Sequence, residues 1–255
     1  MNGGNMAIQV HPPTNYIKKH FNERIGQNES YYIVVTEEGS KVFLGVREGI
    51  DRRKFYEEAN KSKMEGTLID YEKYVYSIES KPGDLFLIPA GTVHALGRNQ
   101  VALEIGDAYS YTFHIYDYLR PDLSGKLRPI HLDHAFRVIR FERTAYWVDK
   151  YLKPLPELVR FGEDWAEYCL GKRRDIYYKI HRLEFKSSID DDTKGKFHIL
   201  TLVEGERVSI QSKENSKRKF KLNFSETVIV PACFGNYSIV NMGNTWCKIL
   251  KVFLK

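Results

Sequence analysis

The sequence has only three cysteines, Cys169, Cys233 and Cys247, too few and too irregularly spaced for a disulfide framework or a thiolate zinc site. A reducing compartment follows, and any bound metal must use nitrogen and oxygen ligands. Nor is there an apolar run approaching the ~20 residues of a membrane helix. The start, MNGGNMAIQV, has neither the basic nor the long apolar region of a signal peptide. These absences exclude a disulfide-stapled secreted domain and a helical membrane anchor, and they point to the cytoplasm. The charge of +6 is scattered, with local clusters only at Lys172 to Arg174 and Lys213 to Lys221, and no reading motif accompanies it. No nucleic-acid partner is therefore expected, whereas a moderate positive field suits a phosphorylated small molecule.

Bulky residues are plentiful. Hydrophobic residues make up 42% of the 255, with 17 Tyr and 14 Phe, enough for one large core or two modest ones. From Tyr31 the pattern is mostly period two: 31–36 and 41–46 read as strands joined by a hairpin turn at 37–40. Residues 51–64 read as an inserted helix with Asp51 as its N-cap, and 130–139 as a second helix. Further strands are expected at 84–88, 100–105 and 109–118. Residues 144–175 read as a partly helical connector, after which short strands follow at 177–185, 197–204, 207–211, 220–224, 227–230, 237–241 and 246–254. A strand ending in Pro89-Ala90 is echoed by one ending in Pro231-Ala232. The expectation is mainly β: a metal-binding barrel over 1–143, a connector over 144–175, and a degenerate second barrel over 176–255.

Three separated pieces of the first half carry candidate metal ligands. Gln9 and His11 are two apart and share a face if extended, Glu29 opens a strand, and His94 follows a hydrophobic strand and a Pro-Ala-Gly turn. Two imidazoles, a carboxylate and an amide oxygen suit zinc, and a less selective site takes other divalent ions, iron among them.

The ordered motifs Gln9-Val10-His11-Pro12, Asn28-Glu29-Ser30-Tyr31-Tyr32, Pro89-Ala90-Gly91-Thr92-Val93-His94-Ala95, Leu103-Glu104-Ile105 and Ile115-Tyr116-Asp117-Tyr118 resemble those of type I mannose-6-phosphate isomerases, zinc-dependent cupins. The resemblance implies two jelly-roll cupin barrels, with zinc held at Gln9, His11, Glu29 and His94. It is close over residues 1 to about 145, and the second half corresponds to the degenerate second cupin, with Asn236 near where a histidine would fall. Three departures lie near the chemistry. Gln27-Asn28 replaces the family's Lys-Pro pair, His114 replaces an arginine, and Ser110 replaces an aspartate. A divergent subgroup beginning Gly-Gly-Asn and carrying Glu-Ser-Tyr-Tyr is closer. Because the family has a substantial segment before the Gln-x-His strand and eight residues precede Gln9 here, an upstream domain in a longer polypeptide is one expectation and a shortened relative the other.

The implied reaction interconverts mannose 6-phosphate and fructose 6-phosphate through an enediol, with a divalent metal stabilising charge on the sugar oxygens and a side chain moving the proton. Glu104 and His114 are the candidate bases, and Arg120 is a third catalytic candidate. Lys126 and Arg128, in a polar loop after the strand, are candidates for binding the phosphate. Asp117 is expected to order that loop. The competing expectation is a noncatalytic, metal-containing sugar-binding or regulatory cupin.

Overall fold

The computed structural model of the protein describes residues 2–108 and 111–255, in two compact units that divide between Pro154 and Leu155. In the first unit the strands are β1 (Ile8–Val10), β2 (Glu29–Thr36), β3 (Lys41–Val46), β4 (Val75–Glu79), β5 (Leu85–Ile88), β6 (His94–Leu96), β7 (Gln100–Gly106) and β8 (Phe113–Tyr116). They form a five-stranded sheet in the order β4-β3-β6-β1-β8 and a three-stranded sheet in the order β5-β2-β7. The helices are α1 (Thr14–Phe21), α2 (Arg52–Glu65), α3 (Leu132–Val138) and α4 (Ala145–Tyr151).

Alternation explains the central strands. Ile8 and Val10, Val93 and Ala95, and Phe113 and Ile115 all belong to one apolar cluster, which also holds Phe55 and Ala59 of α2 and Leu132 and Ala135 of α3. Successive side chains of a strand point to opposite faces. The residues between these pairs, Gln9, His94 and His114, are thereby turned away from the helices, and the register aligns Gln9 with both His94 and His114. Tyr116, two residues beyond His114, is nevertheless buried in the apolar cluster; the register shifts between Ile8 and Gln9.

The second unit contains β9 (Glu157–Phe161), β10 (Trp165–Gly171), β11 (Tyr178–Phe185), β12 (Ser188–Asp192), β13 (His198–Glu204), β14 (Arg207–Ser212), β15 (Lys219–Asn223), β16 (Thr227–Val230), β17 (Asn236–Asn241) and β18 (Cys247–Leu254). A six-stranded sheet, β16-β13-β18-β11-β10-β9, packs against a four-stranded one, β12-β17-β14-β15. Their shared core includes Leu183, Leu202 and Ile249 from the first and Ile210, Tyr237 and Ile239 from the second. The order β4-β3-β6-β1 recurs here as β15-β14-β17-β12, and β5-β2-β7 recurs as β16-β13-β18. The echoed Pro-Ala turns are the outward sign of this repeat, since each follows the corresponding strand, β5 or β16.

The mainly β, cupin-like class stands, but in each unit the strands form two separate sheets and do not close into a barrel. The expected hairpin over 31–46 does not form. β2 is already flanked by β5 and β7, and β3 by β4 and β6, so residues 37–40 carry the chain from one sheet to the other. Of residues 144–175, read from sequence as a partly helical connector, 145–151 form α4, whereas 157–161 and 165–171 build β9 and β10. Elements α1, β12 and β4 escaped the sequence reading because their patterns are weak: α1 buries only Ile17, β12 buries only Ile189 among acidic residues, and β4 is mostly half-buried.

The helix at 51–64 is found as α2, and the Asp51 carboxylate accepts the backbone N–H groups of Arg53 (2.9 Å) and Lys54 (3.1 Å). Removing such a cap costs about 1 kcal/mol. Asp51→Ala is accordingly expected to speed amide hydrogen exchange within α2 by about fivefold while leaving α3 unchanged. Unaltered protection of α2 would show that the cap does not hold it.

Candidate metal centre

Two short segments must meet to assemble the centre, and the backbone fixes how they do so. Gly91 has φ 87°, in the left-handed region that favours glycine, and its N–H donates to the His11 carbonyl (2.8 Å). That turn delivers His94 beside β1. The Arg143 guanidinium clamps the same turn by donating to the carbonyls of Pro89 (2.7 Å) and Ala90 (2.8 Å). Asn28 ties in the third segment: its Oδ1 accepts from Ala90 N (2.9 Å), and its Nδ2 donates to Asp107 Oδ2 (2.7 Å). Sequence reasoning singled out neither Arg143 nor Asp107; both act through backbone turns whose partners depend on tertiary contact.

Inside this frame His11 Nε2 lies 2.6 Å from Glu29 Oε1, and His94 Nε2 lies 3.4 Å from Glu29 Oε2. The three side chains are 2% exposed or less. Candidate ligand atoms of all three lie within 4.8 Å of one another. The Gln9 amide completes the group, with Nε2 placed 3.2 Å from His94 Nε2; rotating the amide by half a turn presents its oxygen there instead.

Each imidazole is held by its other nitrogen. His94 Nδ1 reaches the Thr92 carbonyl (2.9 Å) and His11 Nδ1 the Tyr111 carbonyl (3.1 Å). A proton on Nδ1 satisfies both carbonyls and turns each Nε2 toward the Glu29 carboxylate, the arrangement of second-shell support that metal-bound histidines use. Burial opposes ionisation of Glu29, yet the hydrogen bonds and charges of His11 and His94 outweigh it and hold the carboxyl well below the usual range. His11 Nε2 and Glu29 Oε2 have no well-aligned hydrogen-bond partner. A divalent cation among them would engage both atoms. The donor set fits zinc.

The remaining candidates lie around this group in different states of engagement. Glu104 is exposed and pairs across the sheet with the buried Tyr31, which places it on the face that also carries Glu29. Partial desolvation and the Glu29 charge raise its pKa. Tyr31, not singled out from sequence, is buried with its ring 6.1 Å from that of His94. His114, next to Gln9 in register, has an unpartnered buried Nδ1, and burial lowers its pKa. Gln27 donates to Glu29 Oε1 (2.6 Å), so the residue replacing the family lysine contacts the centre directly.

Arg120 and Arg128 both turn to the buried Asp117. Arg120 Nε donates to Asp117 Oδ1 (2.9 Å) and its Nη1 to the Asn5 carbonyl (2.8 Å), whereas Arg128 reaches Asp117 Oδ2 through Nη1 alone (3.3 Å). Asp117 thus orders the loop by binding both arginines. Lys126 is exposed in that loop, and Ser110 lies outside the described residues.

If His94 is a ligand, His94→Ala is expected to lower the metal bound per chain to a small fraction of the native value, by elemental analysis. The far-UV circular dichroism of the strands should stay intact. Full metal retention would remove His94 from the ligand set.

No family model matches the chain. Among curated proteins it is similar to the probable mannose-6-phosphate isomerase GmuF of Bacillus subtilis strain 168, at 27% identity over 234 residues, 92% of this chain and 68% of that protein. It is also similar to the mannose-6-phosphate isomerase ManA of the same organism, at 32% identity over 206 residues, 79% of this chain but only 58% of that protein. Among solved structures, the fold matches that of mannose 6-phosphate isomerase from Bacillus subtilis with a TM-score of 0.77 at 20% identity, covering 98% of this chain and 72% of that one. A zinc-bound mannose 6-phosphate isomerase matches with a TM-score of 0.70 at 14% identity, covering 99% and 76%. In sequence the chain is similar to proteins named mannose-6-phosphate isomerases, and its fold is the one that solved mannose 6-phosphate isomerases share.

Proposed function

We propose that the chain is a cytoplasmic, metal-dependent aldose-ketose isomerase acting on mannose 6-phosphate and fructose 6-phosphate or a related sugar phosphate, with zinc held by Gln9, His11, Glu29 and His94. The buried His11, Glu29 and His94 group, with two ligand atoms left without aligned partners, is the observation that carries this reading. Relatives named as mannose-6-phosphate isomerases support the substrate class. Among the described residues no helix is long and apolar enough to cross a membrane.

The reaction moves a proton between two adjacent sugar carbons. A bound divalent ion would supply charge stabilisation at the two sugar oxygens. Glu104, exposed beside the centre, is the residue proposed to take the proton from one carbon and return it to the other. Its raised pKa makes the ionised carboxylate a stronger base than an ordinary one. His114, kept neutral by burial, can accept a hydrogen bond from a sugar hydroxyl through its unpartnered Nδ1. Arg120, through Asp117 and Asn5, holds the loop in place. Within that loop, Lys126 and the half-exposed Arg128 side chain are proposed to bind the phosphate.

The sign of the pH dependence follows from Glu104. Its base form accumulates as pH rises, so kcat/KM should climb with pH as Glu104 ionises. Glu104→Gln should remove this limb and lower kcat by about 100-fold or more with the metal content unchanged. A second reading rests on Gln27, which caps Glu29 where the relatives have a lysine: a metal-containing sugar-binding protein that does not turn over. Metal-dependent binding of mannose 6-phosphate with no product in a coupled assay would favour that reading.

A further inference from the structure

The repeated strand order lets register identify equivalent positions in the two units. Gln9 pairs with His94, the first residue of β6, and Asp192 pairs with Asn236, the first residue of β17. Glu29 opens β2 opposite Ile88 at the end of β5, and His198 opens β13 opposite Val230 at the end of β16. Tyr31 pairs with Glu104, and Leu200 pairs with Lys251. His11 lies two residues beyond Gln9, and Lys194 two beyond Asp192. The second unit therefore carries Asp192, Lys194, His198 and Asn236 where the first carries Gln9, His11, Glu29 and His94, and it carries Lys251 where the first carries Glu104.

These five residues line one cavity of about 480 Å³. Along the strands that build it, the inward face changes from apolar to ionisable at one end of the sandwich: Phe185 and Leu183 give way to His181, Cys247 and Ile249 to Lys251, and Leu202 and Leu200 to His198. The floor is an interlocked charge network. Lys251 Nζ donates to Glu167 Oε1 (2.8 Å) and Asp191 Oδ2 (2.5 Å), and His181 Nδ1 meets Glu167 Oε1 (2.7 Å). The Tyr237 hydroxyl bridges Asp191 Oδ2 (3.2 Å) and His198 Nδ1 (2.7 Å). Glu167 and Lys251 are 3% and 4% exposed. Apolar residues fill such positions at equal or better stability, so a buried network facing a cavity is a candidate for function.

The two sites have opposite electrostatic character. In the first, imidazoles and a carboxylate converge as cation ligands; in the second, ammonium groups stand at the positions of His11 and Glu104, and because Lys251 is matched by Glu167 and Asp191, the uncompensated cationic charge lies at the rim. At the rim, Lys194 and Lys196 have no carboxylate within ion-pair distance among the described residues. The Phe253 ring supplies an apolar wall, packed edge-on against His181 at 4.9 Å. Cationic rim, polar side chains for hydroxyl groups and an aromatic wall for C–H faces together define the ligand class.

We propose that the second unit holds a metal-independent site for a small hydroxylated anion, a sugar phosphate or a sugar acid. This site stands apart from the isomerase reading, because none of its residues belongs to the first unit.

The test is to titrate the full chain, in the presence of a metal chelator, with mannose 6-phosphate, gluconate, inorganic phosphate and mannose, following the imidazole resonances of His181 and His198 by NMR. Saturable shifts of both with mannose 6-phosphate or gluconate are expected, and whichever binds tighter identifies the anionic group. Lys194→Glu, at an exposed position, should weaken that binding about tenfold or more. The proposal is overturned if neither anion moves these resonances up to about 10 mM, a concentration that would reveal a millimolar site. It is also overturned if inorganic phosphate acts as strongly as the sugar phosphate, if mannose alone matches both, or if Lys194→Glu changes nothing.

Discussion

A carboxylate buried between two imidazoles is the constraint around which the first unit is organised. Taking Glu29 out of water costs several kcal/mol unless its charge is met, and what meets it are His11 and His94, each fixed by a backbone carbonyl on its far nitrogen. The cost explains why so much of the surrounding structure serves orientation. Gly91, Arg143 and Asn28 all act on the Pro89-Ala90 turn that brings His94 to β1. Loosening any of them would separate the imidazoles from the carboxylate and leave an unpaired charge inside the sandwich.

The same strand plan in the second unit solves a different electrostatic problem. There the buried Glu167 and the partly buried Asp191 are matched by Lys251 and Arg160, and hydrogen bonds to His181 and Lys251 hold Glu167 well below the usual carboxylate range despite burial. One topology thus supports a pocket of cation ligands in one copy and a pocket with its own cations in the other. Strand order sets where a pocket lies; the residues at a few register positions set what it holds.

Much of the first site could be read from the sequence because alternation is local. Val93-His94-Ala95 and Ile8-Gln9-Val10 each place one polar residue between two core residues, and that pattern alone aims His94 and Gln9 away from the helices. Asp51 before α2 was legible for the same reason, since a cap acts on its own next residues. Partners were not legible. The turn at 37–40 signals a reversal but not whether β3 joins the sheet of β2, and it does not, because β5 and β7 already occupy both edges of β2. Arg120 presents a similar case: its proximity to the site motif marked it for catalysis, whereas its guanidinium is engaged with Asp117 and Asn5. The second pocket was hidden because Glu167, Asp191, His198 and Lys251 lie on four strands, and only the register brings them together.

The central claim is that the Gln9, His11, Glu29 and His94 centre serves proton transfer on a sugar phosphate. Its most direct measurement is solvent deuterium incorporation at C1 or C2 of mannose 6-phosphate or fructose 6-phosphate, followed by NMR with the zinc-loaded chain. The account predicts exchange accompanied by the isomeric product, both abolished by a chelator. Metal-replete protein that binds the sugar but exchanges no proton would contradict it.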